Sequence, residues 1–451
     1  MIPAAWRGGV VAVLGLGKSG VAATQLLAQQ GIQVYASDAS DHPYGDAALA
    51  TLGRLPGVTL DIGRHDLARI RAARAVIVSP GVPPDAPPLA AARASQVPVV
   101  SEIDLGFRAL AGSGTRLIAV TGTNGKTTTT ALVAHLLHVA GLRAAAVGNI
   151  GRPLADIAVS GERYQWLAVE VSSFQLHDSP TFAPDIGIVT NLAPDHLDRY
   201  PSVAAYYADK QLLFRNAQAA HLWILNDDDR AVLELADGAP GRRALFSLTR
   251  PVDAWYDAPA RRLRLGGHDL LARDALGLLG DHNVANALAA ALAVHEAGVA
   301  PGVIGEGLRS FRSLPHRLEP VGEVNGVLWI NDSKATNIAS TVVAIEAMER
   351  PFVLLLGGRH KGEPYTRLGP LLQARCRVVI AYGEAGPLVE RDLAGAAPLE
   401  RGTTFADVVA RARRAARPGD AVLLSPACSS YDMFKNYEER GATFRRLVEA
   451  G

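Results

Sequence analysis

The sequence predicts an α/β protein of three domains, each built around a mostly parallel β-sheet. Short apolar runs rich in β-branched residues end in glycine, polar or acidic residues and are followed by helical segments, as in VVAVLG, LIAVTG, WLAVEVSS and FVLLLGG. Continuous apolar runs that alternate with helices are typical of parallel strands covered on both faces. In such sheets ligands bind beyond the carboxyl ends of the strands, which is where these polar residues fall.

The chain has 451 residues, which is enough for about three domains of roughly 150 residues each. A polar, glycine-containing stretch at 110–116, LAGSGTR, separates a first unit from a second. The segment RSFRSLPHR then leads into a new set of strands that begins with VLWINDS. We therefore expect domains at 1–104, 105–313 and 314–451.

The composition is that of a globular protein and argues against several classes of partner. Hydrophobic residues make up 49% and charged residues 20%, and a net charge of +1 without a Lys/Arg run gives no reason to expect nucleic-acid binding. Cys376 and Cys428 lie far apart without metal-ligand spacing, which fits a reducing cytoplasm. The apolar N-terminal run is cut by glycines and Lys18, and the most apolar helical stretch is too short to span a bilayer. We expect a cytoplasmic protein without membrane insertion.

The most informative segment is IAVTGTNGKTT at 118–128, where an apolar strand runs into a glycine-rich turn. Gly122 and Gly125 allow consecutive N–H groups to point inward and cradle phosphate oxygens. Lys126 supplies a positive charge for the β- and γ-phosphates, and the Thr127 hydroxyl suits Mg²⁺. The spacing departs from the strict P-loop pattern because Val120 stands where the first glycine is expected. The predicted ATP-binding residues of this turn are Gly122, Thr123, Asn124, Gly125, Lys126, Thr127 and Thr128.

The first unit carries its own glycine motif, GLGKSG at 15–20, between the strand VVAVL and a helical segment. The next strand, IQVYASD, ends in Asp38, at about the right distance for an acidic residue that binds a ribose. A second glycine turn, SPGVPP at 79–84, either closes the same pocket or serves only the loop. The pattern predicts binding of a nucleotide diphosphate and leaves the base open.

Three polar clusters of the middle unit follow apolar strands or open a helix. Glu170 ends WLAVE, where its carboxylate is suited to join Thr127 on Mg²⁺. His196 follows another strand in NLAPDHLDRY, and Lys210 falls in the helical segment YYADKQLLF. The helix that starts with DHNVAN carries Asn283 and Asn286 three positions apart on one face, suited to a purine edge. From the residues alone, Lys210 is also explained as a structural or solvated lysine. Asn283 and Asn286 are equally explained as residues that cap the start of a helix.

The last unit places charged and hydroxyl side chains in three loops that follow strands. These loops are NDSKATN at 331–337, GGRHKG at 357–362 and SPACSSYDMFKNYEERG at 425–441. Positive charge in all three, from Lys334, Lys361 and Lys435, indicates an anionic substrate. Together the units predict ATP-driven chemistry on a nucleotide-linked substrate.

The combined motifs resemble those of the Mur ligases over essentially the whole chain. The segments that carry the resemblance are GTNGKTT, EVSSFQL, NLAPDHLDRY, HNVAN, LPHR, NDSKATN and SPACSSYDMFKNYEERG. The P-loop is also found in folylpolyglutamate synthetases, so the discriminating segments are EVSSFQL and NDSKATN. The resemblance implies a Rossmann-like UDP-binding domain, a central P-loop ATPase-like domain and a C-terminal Rossmann-like domain. The glycine motif of the first domain would then bind UDP instead of NAD.

The resemblance also implies an activity. ATP would phosphorylate the terminal carboxylate of UDP-N-acetylmuramoyl-L-alanine, and the amine of D-glutamate would attack the acyl phosphate to form an amide. Such an ATP-dependent amide-bond-forming ligase acts in peptidoglycan synthesis and so in cell-wall biogenesis, cell shape and cell division. The resemblance implies two Mg²⁺ ions, a monomer, and a CO₂-derived carbamate on Lys210. The implied metal ligands are Thr127, Glu170, His196 and carbamylated Lys210.

The remaining site residues are carried over from the family pattern by position. Asn283, Asn286, Arg317 and Asp332 would bind ATP. UDP would be bound by Leu16, Lys18, Ser19, Asp38 and Gly81, and the acyl end of that substrate by Asn149 and His196. Glutamate would be bound by Thr336, Lys361, Ser430 and Tyr437. The implied catalytic residues are Lys126, Glu170, His196, Lys210 and Lys334.

Two other function classes fit parts of the sequence. A nicotinamide-dependent dehydrogenase would use GLGKSG but would leave GTNGKTT, Glu170 and His196 without a role. A non-catalytic nucleotide-binding scaffold would keep the folds but would not need the implied metal ligands. NAD binding would favour the first alternative, and absence of ATP turnover with every acceptor would favour the second.

Overall fold

The computed structural model describes residues 1–41, 45–196 and 199–450. The NLAPDHLDRY motif therefore includes two positions, 197 and 198, that lie outside the described residues. The chain divides into two compact units, one of Met1–Leu276 with Val284–Phe311 and one of Gly277–Asn283 with Arg312–Gly451. The bounds of the three expected domains stay a prediction.

The first sheet lies at the start of the first unit and is entirely parallel, with strand order β3-β2-β1-β4-β5. The strand order reverses at β1, and in open α/β sheets a ligand crevice forms at such a point. The elements are β1 Val10–Leu14, α1 Lys18–Gln29, β2 Gln33–Asp38, α2 Asp46–Leu52, β3 Val58–Ile62, α3 Leu67–Arg71, β4 Ala75–Val78, α4 Pro87–Ala94, β5 Val99–Ser101 and α5 Glu102–Leu110.

The second sheet belongs to the same unit and has the order β14-β13-β12-β11-β10-β9-β6-β8-β7. In the order of the sheet, the strands from β7 at one edge through β6 to β12 run parallel to one another. Strands β13 and β14 extend the sheet at the other edge with antiparallel pairing. The elements are β6 Arg116–Thr121, α6 Lys126–Val139, β7 Ala144–Gly148, α7 Leu154–Ser160, β8 Trp166–Glu170, α8 Ser173–His177, β9 Ile186–Val189, α9 Val203–Gln211, β10 Leu222–Asn226, α10 Arg230–Leu235, β11 Arg242–Ser247, β12 Ala254–Asp257, β13 Arg262–Leu265, β14 His268–Ala272, α11 Asp281–Glu296 and α12 Pro301–Ser310.

The third sheet forms the second unit, with order β15-β16-β20-β17-β18-β19 and only β15 antiparallel to its neighbour. The elements are β15 Glu319–Val324, β16 Val327–Asn331, α13 Ile338–Glu346, β17 Phe352–Gly357, α14 Gly369–Leu372, β18 Cys376–Tyr382, α15 Gly386–Asp392, β19 Leu399–Arg401, α16 Phe405–Ala415, β20 Ala421–Leu424 and α17 Tyr437–Glu449.

Strand β17 shows why the apolar runs of this sequence are continuous. All six of its residues are buried. Leu354 and Leu356 pack into a core cluster on one face of the sheet, and Val353 and Leu355 pack into another cluster on the opposite face. Because successive side chains of a strand point to opposite faces, a sheet covered on both sides needs apolar residues at every position. The predicted α/β class with mostly parallel sheets is confirmed.

Within the described ranges, none of the helices is long and apolar enough to cross a membrane.

Candidate functional site

The glycine-rich turn between β6 and α6 has a backbone that only glycine permits. Gly122 has a φ of +139° and Gly125 a φ of +82°. A Cβ atom on Gly122 would lie 2.0 Å from Oγ1 of Thr190, and one on Gly125 would lie 2.2 Å from Oδ1 of Asn286. The turn is therefore held by close approaches that leave no room for a side chain, and α6 begins directly after it at Lys126. Both predicted glycine positions thus have a structural requirement.

Two lysine amines converge on one carbonyl oxygen of this turn. Nζ of Lys126 donates to the carbonyl oxygens of Gly122 at 2.9 Å and Thr123 at 2.8 Å. Nζ of Lys210, which is buried, donates to the same Gly122 oxygen at 2.7 Å. Burial lowers the pKa of Lys210 well below its ordinary value, and the nearby charge of Lys126 lowers it further. The surroundings of Lys210 thus favour a neutral amine.

An aromatic residue joins Lys210 to the predicted His196. Nζ of Lys210 lies 4.6 Å from the ring centre of Tyr206, and the His196 ring centre lies 6.0 Å from that of Tyr206. The hydroxyl groups of Tyr206 and Thr123 are 3.3 Å apart, which ties this tyrosine to the glycine-rich turn. The structure therefore brings His196, Lys210 and the turn together around Tyr206. Sequence reasoning missed Tyr206, although its position four residues before Lys210 on α9 places the two on one helix face.

Glu170 ends β8, the strand next to β6, and its backbone is in register with Val120 just before the glycine-rich turn. The side chain is buried, and Oε1 accepts a hydrogen bond of 2.9 Å from Nδ2 of Asn149. Oε2 is also buried but has no hydrogen-bond partner in the described part of the chain. An orphaned carboxylate oxygen in a buried position is costly unless a cation or donor reaches it.

This orphaned oxygen fits a bound Mg²⁺, for which carboxylates are suitable ligands. Thr127 lies in the first turn of α6, which follows β6 next to Glu170. Among the described residues there is no group of three or more His, Cys, Asp or Glu side chains that could hold a metal ion. The predicted set of Thr127, Glu170, His196 and Lys210 contains only two residues of those types, and it stays a prediction.

Asp209 fixes the end of the helix that carries Lys210. Its Oδ1 lies 2.8 Å from Nδ1 of His177 at the end of α8, and its Oδ2 accepts a hydrogen bond of 2.9 Å from the Tyr200 hydroxyl. The hydrogen bond to Asp209 raises the pKa of His177. Because α8 follows Glu170 and α9 carries Lys210, this contact links the segments that hold two of the predicted metal ligands. No motif in the sequence pointed to it.

A cavity of about 810 Å³ lies beyond the ends of β1, β2, β3 and β4 in the first sheet. Lys18, Ser19, Asp38 and Gly81, all predicted to bind UDP, line it. Leu16 contributes differently, because its side chain is buried and its N–H donates to Oδ2 of Asp38 at 2.6 Å. The other oxygen of Asp38 accepts a hydrogen bond of 2.8 Å from the N–H at position 40. Asp38 is thereby held in place at the cavity wall.

His65 also lines this cavity and was missed by sequence reasoning. Its Nδ1 lies 2.9 Å from Oγ of Ser37, a buried residue directly before Asp38. Burial lowers the pKa of His65. A single histidine after an apolar strand gives no signal on its own, since it has no motif around it.

A second cavity of about 280 Å³ shares the wall formed by Ser79, Pro80 and Val82 with the first. Its other side is lined by residues of α8 and of the segment before α9, including Phe174 and Tyr200, whose stacked rings have centres 5.2 Å apart. Phe174 also contacts the ring of His196 at 5.3 Å. The cavity of the first sheet thus shares part of its wall with a cavity whose lining includes Phe174, a neighbour of His196.

In the second unit, polar residues gather beyond the ends of β16 and β20. The register pairs Asn331 with Leu424, so the loops that follow these strands start side by side. Asp332 is buried, and its carboxylate accepts hydrogen bonds from the Ser425 hydroxyl at 2.9 Å and from the Leu318 N–H at 3.1 Å. Burial raises the pKa of Asp332 to about 7 against the opposing effect of these hydrogen bonds.

Lys334 and Tyr437 form a direct pair in the same unit. Nζ of Lys334 donates to the Tyr437 hydroxyl at 2.9 Å and lies 4.5 Å from the ring centre. Burial raises the pKa of Tyr437 to about 12, and the charge of Arg317 opposes this rise as it opposes that of Asp332. The structure therefore brings Arg317, Asp332, Lys334 and Tyr437 into one neighbourhood.

The other three residues predicted to bind glutamate differ in how far they are buried. Ser430 is buried, Lys361 is exposed after β17, and Thr336 is half-buried. Their common role stays a prediction. Sequence reasoning missed the buried Arg440, whose guanidinium donates to the Ser333 carbonyl at 2.8 Å and the Cys428 carbonyl at 3.1 Å. Arginine is rarely buried, so an arginine in a sequence is expected at the surface unless a contact in the fold shows otherwise.

The two asparagines of α11 fall in different compact units. Nδ2 of Asn283 donates to the Leu279 carbonyl at 2.7 Å within the second unit. Oδ1 of Asn286 accepts a hydrogen bond of 3.2 Å from Thr129, within the first unit and next to the glycine-rich turn. Asn286 is thus part of the turn's packing, and its predicted contact with adenine stays a prediction, as does that of Asn283.

Three family models match this chain in succession. The Mur ligase MurD-like N-terminal domain matches residues 9–101, the Mur ligase middle domain matches residues 120–294, and the Mur ligase glutamate ligase domain matches residues 316–428.

Curated relatives match the chain from end to end. The UDP-N-acetylmuramoylalanine–D-glutamate ligase of Myxococcus xanthus is 44% identical over 462 residues, which cover 99% of each chain. The enzyme of the same name from Salinibacter ruber is 42% identical and covers 97% of each chain.

Solved structures share the fold at lower identity. The UDP-N-acetylmuramate-alanine ligase of Thermotoga maritima has a TM-score of 0.63 and 19% identity, covering 98% of this chain and 99% of its own. A pseudomurein peptide ligase of Methanothermus fervidus has a TM-score of 0.59 and 18% identity, with the same coverage. On the family models and the relatives together, this chain belongs to the Mur ligase family.

Proposed function

We propose that this chain is an ATP-dependent ligase that adds D-glutamate to UDP-N-acetylmuramoyl-L-alanine in peptidoglycan synthesis. The observation that carries the proposal is the end-to-end match to two D-glutamate ligases at more than 40% identity. The glycine-rich turn, the buried Glu170 and the cavity of the first sheet agree with it. Its roles are in cell-wall biogenesis, cell shape and cell division, and we place it in the cytoplasm as a monomer.

The reaction needs activation because a carboxylate is a poor electrophile. An oxygen of the alanyl carboxylate attacks the γ-phosphorus of ATP, the bond to the β–γ bridging oxygen breaks, and ADP leaves. The amine of D-glutamate then attacks the acyl carbon, loses a proton, and expels inorganic phosphate. Catalysis of this kind rests mainly on positioning and on neutralising phosphate charge. The N–H groups of the glycine-rich turn and the ammonium group of Lys126 are the groups of this chain suited to that task.

Mg²⁺, when bound, would neutralise the charge of the transferring phosphate. We assign Glu170 and Thr127 to one ion, because the buried Oε2 of Glu170 lacks a partner among the described residues. We assign His196 and a carbamylated Lys210 to a second. A neutral amine is the form that reacts with CO₂, and the burial of Lys210 favours it. The carbamate would give a hard cation an oxygen ligand where an unmodified ammonium would repel it.

We assign the first domain, at 1–104, to the UDP moiety. Lys18, Ser19, Asp38 and Gly81 line its cavity, and Leu16 holds Asp38. The shared wall of the two cavities supports a substrate whose acyl end reaches Asn149 and His196 in the middle domain, at 105–313.

We assign the C-terminal domain, at 314–451, to the amino acid. A dicarboxylic amino acid would be bound by Thr336, Lys361, Ser430 and Tyr437, since lysine and short hydrogen-bond donors suit carboxylates. Lys334 would help to bind the transferring phosphate. The ATP contacts proposed outside the glycine-rich turn are Asn283, Asn286, Arg317 and Asp332.

The test is phosphate release from ATP and Mg²⁺ with UDP-N-acetylmuramoyl-L-alanine, comparing D-glutamate, L-glutamate and no amino acid. Release that depends on D-glutamate would support both the reaction and the acceptor. Dependence on L-glutamate would keep the chemistry but refute the acceptor. No release under any condition would favour a nucleotide-binding scaffold.

A further inference from the structure

The loop after β3 holds an imidazole at the wall of the nucleotide cavity. His65 lies three residues beyond the end of β3 at Ile62 and lines the cavity of about 810 Å³. Its Nδ1 is engaged by the hydroxyl of Ser37 on β2 at 2.9 Å. The loop is also attached to β2 by Tyr35, whose hydroxyl accepts a hydrogen bond of 2.7 Å from the N–H of Asp66. Two contacts with β2 therefore fix the imidazole.

The strand order indicates which part of a nucleotide His65 meets. The glycine motif after β1 faces the phosphates, and Asp38 at the end of β2 is placed for the ribose. Strand β3 lies next to β2 on the side away from β1, and neighbouring strands lie about 4.8 Å apart. The loop after β3 is thus one strand further from the phosphates than Asp38. In a nucleotide the base is attached to the ribose on the side away from the phosphates, so this loop lies on the side where a base is expected.

We propose that His65 reads the base of the nucleotide by donating from Nε2 to a carbonyl oxygen of uracil. This inference rests on the proposed function, which supplies the uridine nucleotide. When the Ser37 hydroxyl donates to Nδ1, the proton of the neutral ring is on Nε2, and this is the tautomer that the proposal assigns to His65. Burial of His65 supports the neutral ring, because it lowers the imidazole pKa. Uracil presents a carbonyl acceptor at the ring position where cytosine presents an amino donor, so a fixed donor distinguishes the two.

The test compares UDP and CDP binding to the full chain by isothermal titration calorimetry. His65→Asn keeps an amide near Ser37 and removes the distal donor, whereas His65→Gln places an amide near the position of Nε2. His268→Asn, at an exposed histidine of β14, is the matched control. Thermal unfolding of each variant checks that it is folded.

We expect the wild-type protein and His268→Asn to prefer UDP. His65→Asn is expected to weaken UDP binding about three- to tenfold, with CDP binding little changed, as for one lost neutral hydrogen bond. His65→Gln is expected to recover part of the preference. Wild-type selectivity in His65→Asn would overturn the role of His65 and leave the proposed function intact. A wild-type protein that binds NAD but neither UDP nor CDP would refute the proposed function itself, and the role of His65 with it.

Discussion

Glu102, the first residue of α5, is a fully buried carboxyl group that makes stability depend on pH. Its Oε1 accepts a hydrogen bond of 2.5 Å from the N–H of Ala155, while its Oε2 has no partner in the part of the chain that the structure describes. Burial raises its pKa from 4.5 to about 7, and the charge of Asp156 adds to the rise. The group is thus protonated in the folded state over a range where the unfolded chain has lost the proton.

The magnitude follows from this difference in pKa. The stability associated with the neutral carboxyl is fully present below pH 4.5 and is lost as the pH rises to about 7. The pKa shift is about 2.5 units, and each unit corresponds to about 1.4 kcal/mol. Relative to low pH, the folded state therefore loses about 1 kcal/mol of stability at pH 5 and about 3 kcal/mol at pH 8. Glu102→Gln removes the titration and keeps an oxygen acceptor for Ala155. The variant should therefore gain about 2 kcal/mol relative to the wild type between pH 5 and pH 8.

The assay is urea denaturation of the wild type and Glu102→Gln at pH 5 and pH 8, with the free energy of unfolding of the first unit as the readout. The change with pH is the decisive quantity, because the new amide adds a constant offset at both pH values. Glu306→Gln, at an exposed glutamate of α12, is the control and should show no such change. A stability difference between Glu102→Gln and the wild type that is the same at both pH values would refute the reasoning.

Three further predictions concern the glycine-rich turn and its surroundings. Lys210→Ala should abolish turnover, with partial rescue by short-chain carboxylates such as acetate, and full activity without them would contradict the carbamate. Glu170→Gln should raise the Mg²⁺ concentration for half-maximal phosphate release at least about tenfold, since a neutral amide is a weaker ligand than a carboxylate; an unchanged Mg²⁺ dependence would remove Glu170 from the metal site. Gly125→Ala should lower thermal stability and ATP binding, because a φ of +82° costs about 1–2 kcal/mol and the new Cβ would meet Asn286. Gly302→Ala, where a Cβ meets nothing within 4 Å, is its control, and equal losses in both would count against the steric argument.

The sequence predicts most of the parallel framework because the buried strands are apolar without interruption. Strands β1, β6, β9 and β17 fall where runs such as VVAVLG and FVLLLGG lie. The antiparallel extension of β13 and β14 was not predicted. Its strands alternate, as in RLRL, where Leu263 and Leu265 are buried and the two arginines are partly exposed. Such runs are interrupted by charged residues at every second position, so they do not show the continuous apolar pattern of strands covered on both faces.

Site residues are predictable when the chemistry of a motif is local and unpredictable when it depends on tertiary contact. Gly122 and Gly125 are identified by their turn, which imposes positive φ at both positions. Ser37, His65 and Asp209 lie outside any motif, and their contacts join positions 28 and 32 residues apart in the chain. No periodicity of a single helix or strand encodes such pairs, so only the fold shows them.

The two lysines at the Gly122 carbonyl illustrate how charge ties the proposed modification to phosphate binding. Two ammonium groups cannot share one buried carbonyl cheaply, and the lowered pKa of Lys210 relieves their repulsion by favouring a neutral amine there. A carbamate on Lys210 would turn that repulsion into attraction, because the Lys126 ammonium would then face a negative group. The same ammonium is the one that we assign to the phosphates of ATP, so the state of Lys210 would alter the charge that Lys126 brings to them. Since the coupling between two sites is reciprocal, ATP with Mg²⁺ should in turn change how fully Lys210 is carbamylated.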